Sequence, residues 1–141
     1  MHSKNKGNIG QFATGLAFAK LGYSVFTEEG DISKIDLIAE KDGKVIKVQS
    51  KAITPKNNAL QLVLKKSGPN YQFKYKPGVF DYFSVVDLSD GKVYLIPDSV
   101  LFSHSSSLIL RKSPSKNNQK NKINLADDYL IEKVLGTTRP L

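Results

Sequence analysis

The spacing of hydrophobic positions changes several times along the 141 residues, and each change predicts an element. Ile9, Phe12, Ala13, Leu16, Ala17 and Lys20 recur at helical spacing, and Gly22 stops the run, which predicts a helix over residues 6–21 with this arc as its core face. Gln11 lies nearly opposite the centre of that arc and shares its face with Gly15 and Phe18. A glycine there permits close approach, so the second face is expected to meet more than solvent. Residues 23–26 form a short apolar strand, followed by the polar loop EEGDISK. Residues 35–39 and 44–49 then read as two strands joined by Glu40-Lys41-Asp42-Gly43, because Asp-Gly is a strong hairpin signal.

The second half is richer in strands. AITPKNN reads as a loop, and ALQLVLKK and YQFKYK flank the turn cluster Ser67-Gly68-Pro69-Asn70. Tyr71, Phe73 and Tyr75 alternate with Gln72, Lys74 and Lys76, giving one aromatic face and one basic face. YFSVVDL and KVYLIP form a further hairpin, residues 99–102 a helical turn, SLILRK a strand, and ADDYLIEKVL a short terminal helix. SPSKNNQKNK between the last two is polar, basic and of low complexity, hence a flexible loop. The order of helix, strands and short helix predicts an α/β (α+β) domain spanning residues 1–141. Its N-terminal helix packs on a mixed central sheet.

Charge narrows the partner. The net charge is +8, from 21 basic and 13 acidic residues. No acid lies between Asp42 and Asp81, where there are eight lysines, nor between Asp98 and Asp127, where Arg111, Lys112, Lys116, Lys120 and Lys122 fall. Two acid-free basic tracts suit a polyanion, because each phosphate neutralised releases counterions. The absence of cysteine excludes disulfides and thiolate metal sites. No segment approaches the roughly 18 apolar residues that span a bilayer. Without a leader pattern at residues 1–30, the expected setting is the bacterial cytoplasm, at the nucleoid when bound to DNA. His2 and His104 are too isolated for a metal cluster or a triad, and no phosphate-loop pattern occurs.

The candidate chemistry sits in KIDLIAEKDGKVIKVQSK, residues 34–51. Asp36 opens one apolar run and Gln49-Ser50-Lys51 closes the next. A carboxylate is a good ligand for a hard cation, and a lysine beside it can hold a phosphate or polarise a water. Each residue alone is an ordinary one at a sheet rim; together they form equipment for metal-assisted phosphodiester hydrolysis.

With KGNIGQFATGLAFAKLGYSV ahead of it, this stretch resembles the PD-(D/E)XK nuclease superfamily, and within it the bacterial group I intron-encoded homing endonucleases. The resemblance implies a restriction-endonuclease-like core and a catalytic set of Gln11, Asp36, Gln49 and Lys51. Asp36, Gln49, the Ser50 carbonyl and Gln11 would hold Mg2+ or Mn2+. The resemblance expects an acid at position 11 and an Asp or Glu at 49, so Asp36 is the only charged ligand left. A natural reduced site and a Glu→Gln variant at position 11 that binds DNA without cutting both account for this. The intact remainder of the motif favours the variant.

The expected activity is site-specific cleavage of double-stranded DNA. Candidate DNA contacts are Lys56, Gln61, Lys65, Lys66, Asn70, Gln72, Lys74, Lys76, Arg111, Lys112 and Lys116, in basic loops near residues 52–78 and 111–122. One site per chain cuts one strand, which asks for at least a dimer; the resemblance suggests a dimer of dimers. The alternatives are a Holliday-junction or repair nuclease of the same fold, a non-catalytic DNA-binding module, and an RNA-binding protein supported by charge alone.

Overall fold

The computed structural model describes residues 2–28, 34–69, 71–74, 76–102, 107–114 and 124–136. The chain opens with α1 (Ser3–Lys20), capped by the His2 side chain, which accepts from the Lys4 N–H at 3.2 Å. β1 (Ser24–Thr27), β2 (Leu37–Lys41) and β3 (Lys44–Ile53) follow. Asp42 and Gly43 between β2 and β3 both take positive φ, 52° and 82°, the backbone that a two-residue hairpin turn requires.

β4 (Ala59–Val63), β5 (Lys65–Gly68), β6 (Tyr71–Lys74), β7 (Tyr82–Asp87) and β8 (Val93–Pro97) come next. Then follow α2 (Asp98–Phe102), β9 (Ser107–Arg111) and β10 (Asn124–Leu125). The chain closes with a 3-10 turn (Ala126–Tyr129) and α3 (Ile131–Leu135). No helix among the described residues is long and apolar enough to cross a membrane.

The central sheet runs β1-β2-β3-β7-β8; β3 and β7 are parallel and its other pairs antiparallel. One face packs on α1 and α3 through Phe18, Leu37, Ala39, Ile46, Val48, Val86, Leu95 and Ile131. The other packs on a second sheet, β10-β9-β4, through Leu60, Leu62, Phe83, Val85, Tyr94, Ile96, Leu108 and Leu110. The fold is therefore the expected mixed α/β arrangement with a helix on a mixed sheet, but the described residues form three sheets where one was expected. ALQLVLKK divides: β4 joins β9, and β5 pairs with β6.

The core face of α1 is turned from the expected one: Ala13 and Ala17 of the expected arc pack against the core, but its larger side chains do not. Ile9, Phe12 and Leu16 are 37%, 69% and 57% exposed, while Gly10, Thr14 and Phe18 are buried. The reason is close packing. A Cβ on Gly10 would lie 3.2 Å from the Ala52 backbone nitrogen, so glycine lets the helix rest closer on β3 than a larger residue would. One turn along, buried Thr14 bonds through its hydroxyl to buried Ser84 on β7. The terminal helix is also broken. Leu130 is extended, at φ −52° and ψ 136°, and bridges to Tyr94, which separates the 3-10 turn from α3.

Candidate active site

The β2–β3 ladder ends at Leu37↔Val48, yet β3 continues to Ile53. Among the described residues no strand pairs with β3 on that side beyond Val48, so the sheet has a notch there. Asp36 fills it. Its backbone N–H donates to the Val48 carbonyl at 2.9 Å. Its carboxylate Oδ2 accepts from the Ser50 N–H at 2.7 Å and from the Ser50 hydroxyl at 3.4 Å. The side chain thus takes the backbone donor that a continued β2 would have taken, and this fixes the carboxylate at the strand end.

α1 approaches the notch from one face. Gln11 donates from Nε2 to the Asp36 carbonyl oxygen at 3.1 Å, across 25 residues of sequence. The neighbouring Gly10 contact explains how a side chain of this length arrives there. A glutamate at position 11 has no proton to give that carbonyl at neutral pH, so the amide makes a bond that an acid there would not.

Gln49 and Lys51 approach from the other face. Ser50 and Ala52 face α1: Ser50 pairs with Ser84, the partner of Thr14, and Ala52 lies under Gly10. By strand alternation Gln49 and Lys51 lie with their register partners Phe83 and Val85, on the face of the second sheet. Lys51 is exposed and Gln49 half-buried. Asp36 thus meets Gln11 and Ser50 directly, whereas Gln49 and Lys51, the neighbours of Ser50 in β3, leave the strand on the opposite face.

A cavity of about 600 Å³ opens beside Asp36 and Gln11, lined also by Lys4, Asn8, Ile35 and Glu28. Among the described residues no group of three or more His, Cys, Asp or Glu side chains is placed to hold a metal ion. The donors that do meet here, one motif carboxylate and amide and carbonyl oxygens, still fit Mg2+. That ion uses one or two carboxylates and keeps several waters.

The other sequence-derived candidates are spread over the molecule. Lys56, Gln61 and Lys76 are exposed. Lys65, Lys66, Gln72 and Lys74 lie on the β5–β6 hairpin, where the register sets Lys65 against Lys74 and Ser67 against Gln72. Arg111 is half-buried at the end of β9. Lys112 is committed within the protein: its Nζ lies 2.6 Å from Asp87 Oδ2 and 3.5 Å from Asp90. Asn70, Tyr75, His104, Lys116 and the low-complexity loop from residue 115 lie outside the described residues.

Two features had no readable signal in the sequence. Asp87 is fully buried. Burial pushes its carboxyl up, but hydrogen bonds from Lys112 and Ser89 outweigh this and hold it below the usual carboxylate range. Glu28 belongs to a run with Glu29 and Asp31, and only the pairing of β1 with β2 distinguishes it.

Residues 1–132 match a family model described as PD-(D/E)XK endonuclease. Among solved structures, the bacterial homing endonuclease I-Ssp6803I shares the fold, with a TM-score of 0.76 and 22% sequence identity over 96% of this chain and 93% of that one. No curated protein sequence matches the chain.

Proposed function

Because the chain belongs to the PD-(D/E)XK endonuclease family, we propose that it is a homing-type enzyme. It would cut a specific site in double-stranded DNA with Mg2+ or Mn2+. The observation that carries this reading is the meeting of Asp36 with Gln11 of α1 and with Ser50 of β3 at one sheet edge, Ser50 being flanked in the strand by Gln49 and Lys51.

Asp36, Gln49, the Ser50 carbonyl and Gln11 would hold the cation. When bound, it polarises the scissile phosphate and makes a water a stronger nucleophile. Asp36 reaches that position already oriented by Ser50, so little reorganisation accompanies binding. Gln11 holds the Asp36 backbone from the helix side. Lys51, on the opposite face, orients the water or stabilises the charge that builds on the phosphate.

Lys56, Gln61 and Lys76, together with the β5–β6 hairpin, Asn70 and the loop near 111–122, supply phosphate and base contacts. A two-stranded ribbon is an element that the major groove admits. Lys112 contributes least, because its charge is already paired with Asp87. The exposed stripe of Ile9, Phe12 and Leu16 on α1 supports self-association into a dimer, or a dimer of dimers, that presents two sites to two strands. Phe12→Asp is expected to lower the mass measured by sedimentation.

Gln11 favours a second reading, in which the chain is a Glu→Gln form that binds DNA and cuts it slowly. One experiment separates the two. DNA is first selected from a random library in Ca2+, and single-turnover cutting of the selected site is then started with Mg2+. Fast cutting supports the reduced site as natural and sufficient. Slow cutting that Gln11→Glu accelerates supports the impaired form. Selection of branched DNA over linear DNA would point to a junction or repair nuclease instead.

A further inference from the structure

Within the nuclease reading, on which this inference rests, the anionic ligand set is short of charge. Positions 11 and 49 are both glutamine, so the motif leaves Asp36 alone to balance a divalent cation. The fold brings a second carboxylate to the same place. The β1–β2 ladder pairs Ser24 with Glu40 and ends at Thr27↔Leu37. One step beyond that last pair, β1 continues into Glu28 and β2 begins from Asp36. The two acids thus leave adjacent strands at the same level of the sheet, and both line the cavity of about 600 Å³ that Gln11 also lines.

We infer that Glu28 is the second carboxylate ligand of the catalytic cation, supplying from the end of β1 the charge that position 11 lacks. Both acids border one cavity at the end of the same strand pair. A hard divalent ion that takes one or two carboxylates and completes its shell with water or phosphate oxygen suits that place. Gln11 belongs to the same arrangement without carrying charge, since its amide holds the Asp36 backbone and an acid at that position could not make the bond. Glu28 is exposed, so its replacement removes a ligand without opening the core.

The test measures Mn2+ binding to the full chain without DNA, by electron paramagnetic resonance. It adds the Mg2+ concentration for half-maximal cutting of a selected DNA site and a thermal melt. Glu28→Gln is expected to weaken Mn2+ binding about tenfold and raise the Mg2+ requirement by a similar factor, with the melt unchanged and Glu28→Asp recovering part of the loss. Asp36→Asn serves as the control that loses both. If Glu28→Gln binds Mn2+ like the parent while Asp36→Asn does not, Glu28 is no ligand and the metal-nuclease reading survives alone. A lowered melt with Mn2+ binding intact also overturns the inference, because it makes Glu28 a structural partner of a neighbour such as Lys4. If the parent binds no Mn2+ and its cutting ignores Mg2+, both readings fall together.

Discussion

Two aspartates of the central sheet begin from nearly the same local chemistry and end in different roles. Asp36 accepts from the Ser50 N–H at 2.7 Å and from its hydroxyl. Asp87 accepts from the Ser89 N–H at 2.7 Å and from its hydroxyl at 2.6 Å. Each caps a strand end with a carboxylate and a serine. Asp87 is fully buried, and Lys112 neutralises it at 2.6 Å, so its charge is spent inside the protein and ties β7 to the residue that follows β9. Asp36 is half-buried beside a cavity that opens to solvent. The same hydrogen bonds that lock one residue into the fold would, on the proposed function, hold the other in place for a cation. What differs between the two acids is burial and an ion pair, not the serine that anchors each.

The comparison can be broken most severely by removing metal. Chelation of divalent ions is expected to stop cutting while leaving the denaturation midpoint unchanged, since no part of the Asp87 cluster depends on a cation. A shift in that midpoint would mean that metal has a structural role.

The two lysines sharpen the contrast next. Lys112→Ala leaves a buried carboxylate without its counter-charge and is expected to lower the urea midpoint of unfolding clearly. Cutting per folded molecule should stay within twofold. Lys51→Ala should do the reverse, slowing single-turnover cutting about a hundredfold, or about 2.7 kcal/mol, with little change in unfolding. Equal behaviour of the two variants in both assays would erase the distinction.

Gly10→Leu tests how the helix side of the site is positioned. The added side chain meets the Ala52 and Lys51 backbone, so the variant should lose about 2 kcal/mol of stability. It should also slow cutting, as Gln11 is lifted off Asp36. Unimpaired cutting by a destabilised Gly10→Leu would detach Gln11 from the site.

Acid gives the smallest effect. The carboxyl of Asp87 is held below its unfolded value of about 3.9. Its stabilisation is therefore complete above that pH and is lost as pH falls through the lower folded value. Asp87→Asn should flatten the stability profile in that acid range, and a profile identical to the parent's would remove Lys112 and Ser89 as the cause.

How much of this was legible in the sequence depends on the range of the physics involved. The hairpin at Asp42-Gly43 was readable because positive φ is a local demand that few residues meet. The placing of Asp36 beside Ser50 was readable because a short hairpin fixes the register of the two strands. The face of α1 was not. Its apolar stripe is the more hydrophobic one, yet the face that packs is lined by Gly10 and Thr14, whose value lies in small size and a hydrogen bond to Ser84 70 residues away. The division of β4 from β5 was hidden for a similar reason: β4 finds its partner in β9, as in Leu62↔Leu108. Lys112 read as a DNA contact because the buried acid that claims it lies 25 positions earlier in the chain. Charge tracts report composition along the chain, and only the fold shows which charges are already paired.

The central claim is that Asp36 works on a ligand while Asp87 works on the fold. One paired measurement tests it: single-turnover Mg2+-dependent cutting and urea unfolding of the isosteric variants Asp36→Asn and Asp87→Asn, on the same selected DNA. The account predicts that Asp36→Asn cuts about a thousandfold more slowly, or about 4 kcal/mol, with unfolding changed by less than about 1 kcal/mol. Asp87→Asn should cut normally when folded and unfold at a lower urea concentration. Cutting retained by Asp36→Asn, or lost by a folded Asp87→Asn, would contradict it.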